Sequence, residues 1–286
     1  MTTNELYDYS PITDRGGVEW PDGKKLAFYI GLNVEHFHVD KILPTSIASA
    51  PPDPMYFGKR DYGNRVGIWR MLELFDEVGL RASAITNSEV CTYYPNIIEA
   101  GLQRNWAWIG HGLTNSTMHS GYTEAQEVPV LDEIVASFAK HGITPKGWLG
   151  PGLTETFNTP QLLADRGFTY LLDWCADDVP FRLNVPGMLS VPYSLSVNDI
   201  GLFESTSFTG SSYEEMVLDQ FDVLLSEGGR VMALPIHPFV IGQPYRFKHF
   251  ANAIRRITSH PDVWVTTSED IADHFLAASA AEQAAA

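Results

Sequence analysis

The stretch Leu26-Ala27-Phe28-Tyr29-Ile30-Gly31-Leu32-Asn33-Val34-Glu35-His36-Phe37-His38 decides the fold of this chain. It begins as an apolar run without alternation, the pattern of a strand buried on both faces of a parallel sheet. It ends in one amide, one carboxylate and two imidazoles. In barrel-like α/β enzymes the carboxyl ends of strands carry the chemistry, because loops converge there on a rigid mouth. A Glu-His pair in that place can set a general base beside a metal ligand. The competing reading is a strand end whose polar residues simply face water. The remainder of the chain decides between them.

Working outward, residues 1–18 read as an irregular lead-in, and Trp20-Pro21-Asp22-Gly23 as a turn before the strand. His38 to Gly63, with Pro44, Pro51, Pro52 and Pro54, reads as a long loop of the kind that serves function or wraps a neighbouring subunit. Apolar residues at Ile68, Met71, Leu72, Phe75 and Val78, closed by Gly79, predict a helix. From there strand and helix alternate. Strands are expected at Arg81–Thr86, Trp106–Ile109, Lys146–Leu149, Thr169–Leu172, Leu189–Tyr193, Arg230–Ile236 and Val263–Val265. Helices are expected from Pro95, from the Thr123/Gln126 capping box, from Thr159-Pro160, over Tyr213–Ser226 and Tyr245–Thr258, and from near Ser268. Beyond residue 278 the chain is an Ala-rich tail expected to fray. The alternation predicts an α/β fold with a parallel sheet, closed or nearly closed into a barrel, in one domain over 19–278.

Composition narrows the partners. The chain has 286 residues, 44% hydrophobic and 19% charged, which is an ordinary globular balance. A net charge of -16 argues against nucleic acid or an anionic membrane surface and leaves a small-molecule substrate. Two cysteines, Cys91 and Cys175, form neither a disulfide framework nor a metal motif. Met1 to Tyr7 has no basic region followed by an apolar core, and no run approaches a membrane span, so a cytoplasmic protein is expected. The long segment after His38 leads us to expect a homo-oligomer.

The strand ends then supply the candidates: Glu35 and His36, Glu89, His111, Gly150-Pro151-Gly152, Asp173 to Asp178, Asn198-Asp199, and His237. Each alone has a structural explanation, and their shared position raises them above it. His111 and Asn115 stand at i and i+4, a metal-ligand spacing with a poor second ligand. His119 reads as a surface loop residue, and His249 and His274 as residues of helices.

Taken together, Trp20-Pro21-Asp22-Gly23-Lys24, Leu32-Asn33-Val34-Glu35, Ile109-Gly110-His111-Gly112, Gly147-Trp148, Val191-Pro192-Tyr193 with Asn198-Asp199, and Ile236-His237-Pro238 resemble the NodB-type polysaccharide deacetylase family. The arrangement is similar in particular to the branch of purine-catabolic allantoinases and cyclic-imide hydrolases. The pieces run in family order from about residue 18 to 275. The resemblance implies a distorted (β/α) barrel of about seven strands. It places a catalytic base on Glu35, a metal set on His36, His111 and Asn115, and a catalytic histidine on His237. The arginine of the deacetylases' third motif has no counterpart in Trp148-Leu149-Gly150-Pro151-Gly152. A divalent metal, Zn, is thus implied, whereas the allantoinase-like branch, which departs from the full metal triad, implies hydrolysis without one.

Amide hydrolysis needs an activated water, a place for the oxyanion and a proton for the leaving nitrogen. Glu35 is expected to activate the water, with burial raising its pKa and a nearby cation lowering it, and His237 to protonate the nitrogen. Asn33, Trp148, Trp174, Tyr193 and Asn198 are expected to bind substrate, the aromatics flanking a planar ring. The reading that results is a hydrolase of a C–N bond in a cyclic ureide or imide. The alternatives are an N-deacetylase of an amino-sugar or polysaccharide, and an inactive barrel that binds a small ligand.

Overall fold

The apolar run forms β1 (Leu26–Val34), buried at every residue because both its edges are occupied. The computed structural model describes residues 4–42, 48–205 and 208–285. On one edge β8 (Arg230–Ile236) pairs in parallel, from Leu26 with Arg230 to Leu32 with Ile236. On the other, β9 (Val263–Val265) takes Leu26 to Phe28, and β2 (Ser83–Thr86) takes Gly31 to Val34. From β2 the sheet continues in parallel through β3 (Ala107–Gly110), β4 (Gly147–Trp148), β5 (Tyr170–Leu171) and β7 (Leu189–Ser190). It ends on β6 (Phe181–Arg182), antiparallel to β7. The result is a curled, incompletely closed (β/α) barrel of the distorted kind expected from the sequence.

Period two sorts each strand between two apolar layers. Leu26, Phe28, Ile30, Leu32 and Val34 pack outward with helix residues such as Met71, Phe75 and Phe250. Ala27 and Tyr29 instead join Ile85, Ile109, Leu149, Tyr170, Val191, Tyr193 and Val231 in the barrel interior. The odd-numbered face of β1 therefore leads inward to Asn33 and on to Glu35. The same count carries β3 to His111 and β8 to His237.

The helices that cover the sheet are α1 (Pro54–Tyr62), α2 (Ile68–Val78), α3 (Val90–Tyr93), α4 (Pro95–Gln103) and α5 (Glu124–Ala139). They are followed by α6 (Thr159–Ala164), α7 (Asp199–Ser205), α8 (Gly210–Glu227), α9 (Pro244–Thr258) and α10 (Ser268–Ala285). Gly79 ends α2 with φ of 67°, a left-handed cap. The Thr123 capping box opens α5, its backbone N–H donating to Gln126 Oε1 at 2.9 Å.

Two regions differ from expectation. The segment read as a loop from His38 to Gly63 contains α1, opened by the Asp53 side chain, which accepts from Tyr56 N at 2.9 Å, and by Pro54 at the first position. A π-helical turn, Gly63–Gly67, joins α1 to α2. Residues 43–47 of that segment lie outside the described residues. The lead-in is irregular, yet it packs: Tyr7 meets Trp174 and Phe181 at 5.6 and 5.0 Å between ring centroids. Asn184 N donates to Leu6 O at 2.7 Å and Val18 N to Gly229 O at 3.1 Å. The backbone of α10 stays helical to Ala285, past the point where the sequence reading placed a frayed tail. No helix among the described residues is long and apolar enough to cross a membrane.

Candidate active site

At the carboxyl ends of β1, β3, β7 and β8 a pocket of about 200 Å³ opens, with Glu35, His111, Asn115, Tyr193, Asn198 and His237 among its lining residues. Glu35 sits in the middle, 6% exposed. Its Oε1 accepts from Asn115 Nδ2 and lies 3.7 Å from His111 Nε2 and 3.6 Å from His237 Nε2. Its Oε2 is buried with no hydrogen-bond partner among the described residues. Burial pushes the carboxyl up, but the charges around it, His237 first and Arg60 with it, hold it below its ordinary value. The upward push of burial is thus outweighed, as a nearby cation is expected to do, the His237 imidazole and the Arg60 guanidinium favouring the ionised form.

The two histidines on either side are set in opposite roles by what holds their Nδ1 atoms. His111 Nδ1 faces the Leu149 carbonyl at 2.6 Å, which can only accept. The neutral ring therefore carries its proton on Nδ1 and presents a bare Nε2 lone pair to the pocket, where it too is buried with no partner among the described residues. His237 Nδ1 meets Asp199 Oδ1 at 2.7 Å, and its backbone N–H donates to Asp199 Oδ2 at 2.8 Å. Burial pushes His237 down, but Asp199 and Glu35 overcome it and lift the imidazole above its ordinary value. His237 is a proton donor held between two carboxylates.

Asn115 is fixed by a second amide. Its Oδ1 accepts from Asn87 Nδ2 at 3.0 Å, and that same amide group donates to the His111 carbonyl. Turning Asn115 over would set two NH₂ groups against each other, so it presents N–H, not a lone pair, to Glu35. Asn33 donates to Tyr193 Oη at 3.3 Å and to the Ile236 carbonyl at 3.2 Å, linking the floor of the pocket. Asn198 accepts from Ile200 N at 3.2 Å at the start of α7.

Four sequence expectations need correction. His36 follows the even-numbered face of β1 and turns away from Glu35: its Nδ1 lies 2.7 Å from Glu89 Oε2 and its ring stacks on Tyr93 at 4.3 Å. Trp148 is on the outward face of β4, fully buried against Phe168 and His119. Trp174 donates to Glu155 Oε1 at 2.8 Å, away from the pocket. His119 is 2% exposed, not a surface residue, and burial together with His111 pushes its imidazole down to about 4.

The metal set implied by resemblance does not fit the centre. His36 is absent from it and Asn115 offers a donor, which leaves His111 as the member of that set whose lone pair faces Glu35. Among the described residues, the His/Cys/Asp/Glu group whose ligand atoms converge within 4.8 Å is His36, His38 and Glu89, outside the pocket.

Arg60, which sequence reasoning did not single out, and Asp199, which it named at a strand end without giving it a role, complete the site. Arg60, on α1, lines the pocket with Tyr56 and Phe37, its guanidinium 3.2 Å from the Tyr56 ring centroid and 4.7 Å from that of Phe37. It supplies the cation whose absence from Trp148–Gly152 was noted, from a different part of the chain. Nothing local to Arg60 signals this. Asp199 had a signal, since it stands at a strand end beside Asn198 and before the turn that α7 makes.

No protein-family model matches the chain. A Schizosaccharomyces pombe protein named "Putative polysaccharide deacetylase" is 25% identical, over 95% of this chain and 98% of that protein. The crystal structure of PuuE allantoinase superposes with a TM-score of 0.83 at 26% identity, over 95% of this chain and 98% of the other. A Pseudomonas aeruginosa structure described as a probable polysaccharide deacetylase shares the fold, with a TM-score of 0.81 at 24% identity over 94% and 98% of the two chains. Fold, site and relatives together support an enzyme that hydrolyses amide C–N bonds. More narrowly, the chain resembles the NodB-type polysaccharide deacetylases, with an allantoinase among its structural neighbours.

Proposed function

We propose that this protein opens a small cyclic ureide or imide by hydrolysing a ring C–N bond. The observation that carries the reading is the pocket itself. At about 200 Å³ it is smaller than the roughly 300–1,000 Å³ that drug-sized ligands occupy, and Arg60, Tyr56 and Phe37 line it together. A single planar ring suits such a space better than a polymer.

Glu35 Oε2 and His111 Nε2 are both acceptors without protein donors, and a water donating to both would be oriented and activated. Glu35 takes the proton as the water oxygen bonds to the ring carbonyl carbon. The oxygen of that carbonyl becomes an oxyanion, and Arg60 provides the nearby positive charge for it. As the C–N bond breaks, the electron pair goes to nitrogen and His237 Nε2 delivers its proton there. The products are a carboxylic acid, which ionises to the carboxylate by giving its proton to solvent, and a free amide or urea nitrogen, and the proton on Glu35 resets the site by returning to His237 or solvent. A second carbonyl on the ring nitrogen stabilises that leaving group, which matches a centre without a complete metal triad.

The test is a substrate panel with purified protein: allantoin, hydantoin, succinimide, glutarimide and N-acetylglucosamine oligomers. Ring opening of a cyclic member is expected, reduced about 10²–10⁴-fold in Glu35→Gln with its thermal melt unchanged. Acetate release from the oligomers alone would return the protein to deacetylation, the reading favoured by the names of its relatives. Turnover in Glu35→Gln equal to wild type would remove the base assignment.

A further inference from the structure

We propose that His36, His38 and Glu89 form a binding site for a zinc-class divalent cation, outside the Glu35 pocket and independent of the reaction assigned to it. His36 Nδ1 and His38 Nε2 each lie 2.7 Å from the same oxygen, Glu89 Oε2. The three ligand atoms all lie within 4.8 Å of one another. Zinc holds imidazole nitrogen and carboxylate oxygen at about 2.0–2.2 Å, which sets tetrahedral ligands roughly 3.4 Å apart. The cluster reaches that geometry by opening its two short sides by less than about 1 Å, a side-chain adjustment. Two imidazoles and one carboxylate suit zinc, and not the all-oxygen shells of magnesium or calcium.

The surroundings already orient the ligands. The His36 ring stacks on Tyr93 with an interplanar angle of 13°. Its backbone N–H donates to Asn87 Oδ1 at 2.9 Å, and the His38 N–H donates to Ser116 Oγ at 2.8 Å. Glu89 N donates to the Leu113 carbonyl at 3.1 Å. The His36 side chain is 9% exposed, while those of His38 and Glu89 are 31% and 26% exposed. One side of the cluster is therefore open for entry of the ion and for a water as fourth ligand.

The site ties the chain just after β1 to the start of α3. The His36 carbonyl accepts from Asn115 N at 3.0 Å and Thr114 Oγ1 at 2.8 Å, so the same segment supports the residue that clamps Glu35. The ion is structural: it fastens this corner while its ligands face away from the pocket. The alternative is a carboxylate bridging two imidazole N–H groups with no affinity for metal.

The full-length protein, stripped with chelator, is titrated with Zn²⁺ in equilibrium dialysis with metal analysis, and its thermal melt is followed with and without the ion. One zinc per chain and a higher Tm are expected. His38→Gln and Glu89→Gln are each expected to weaken binding more than about tenfold and to abolish the zinc-dependent rise in Tm, while His111→Gln binds as wild type. Absence of zinc uptake, or uptake unchanged in both cluster variants, overturns the proposal. Loss in His111→Gln with retention in the other two would place the ion beside Glu35 and overturn it as well. The wild-type rise in Tm serves as a readout should a variant fold poorly.

Discussion

Glu35 and His36 are neighbours in the chain and lie on opposite sides of a strand end. Successive side chains of an extended segment point to opposite faces, and Asn33 and Glu35 share the inward one. Counting by twos from Asn33 would have separated the base from its supposed metal partner, and counting from Gly147 would have turned Trp148 outward. The run of apolar residues concealed this, because a strand buried on both faces shows no polar alternation to mark its inner side. Asp199 acts through His237, and it is a positioning residue whose effect is a matter of charge. Burial lowers the His237 pKa, and Asp199 and Glu35 raise it further than burial lowers it, with Arg60 opposing. The proton donor is thus present below the raised value and is lost as pH rises through it. Asp199→Asn removes the larger supporting charge, so the alkaline limb of kcat/KM is expected to move to lower pH. An alkaline limb that stays in place would show that His237 is not the acid. For Asn115→Asp, a second carboxylate against Glu35 disfavours ionisation of the base. Activity at neutral pH is expected to fall at least about tenfold and to recover partly as pH rises, read from the same profiles.

At the level of elements, α1 and the π-helical turn Gly63–Gly67 bring Arg60 to the pocket and brace the turn that follows β8. A methyl group at Gly67 would run into the Pro238 carbonyl, and one at Gly63 would meet Phe239 N at 2.7 Å. Those glycines are there for close backbone approach, and their neighbours are the two residues after His237. Gly67→Ala is expected to cost about 1–3 kcal/mol in urea unfolding and to lower kcat by displacing His237. A variant as stable and as active as wild type would show that the two segments do not press on each other. Arg60→Lys keeps the charge but shortens the reach and loses the planar stacking over Tyr56. It is expected to reduce kcat more than it changes KM, measured on whichever ring the panel identifies. The sequence placed α2, α5, α8 and α9 well from period and caps, but α1 was hidden by the prolines around Asp53, which look like a loop until the cap is seen.

For the whole molecule, the sheet leaves a seam, since β7 and β8 do not pair. The lead-in and its partners bridge it. Tyr7 rests on Trp174 and Phe181, Arg15 pairs with Asp177, and Trp20 Nε1 donates to the Arg230 carbonyl at 3.0 Å. Removing residues 1–18 is expected to lower Tm by at least about 5 °C through lost aromatic contacts and hydrogen bonds, measured by calorimetry. An unchanged Tm would make the lead-in an appendage. Most of the alternation of strands and helices, the parallel sheet and the identity of Glu35, His111 and His237 as strand-end residues were determined by the sequence itself. Local periodicity, capping and chain order are encoded within a few residues of where they act. Which of those residues meet, that Asn115 offers a proton in place of a lone pair, and that the cation near Glu35 is Arg60 were decided only by the tertiary structure. Those outcomes depend on strand parity, side-chain tautomer and contacts between segments distant in the chain.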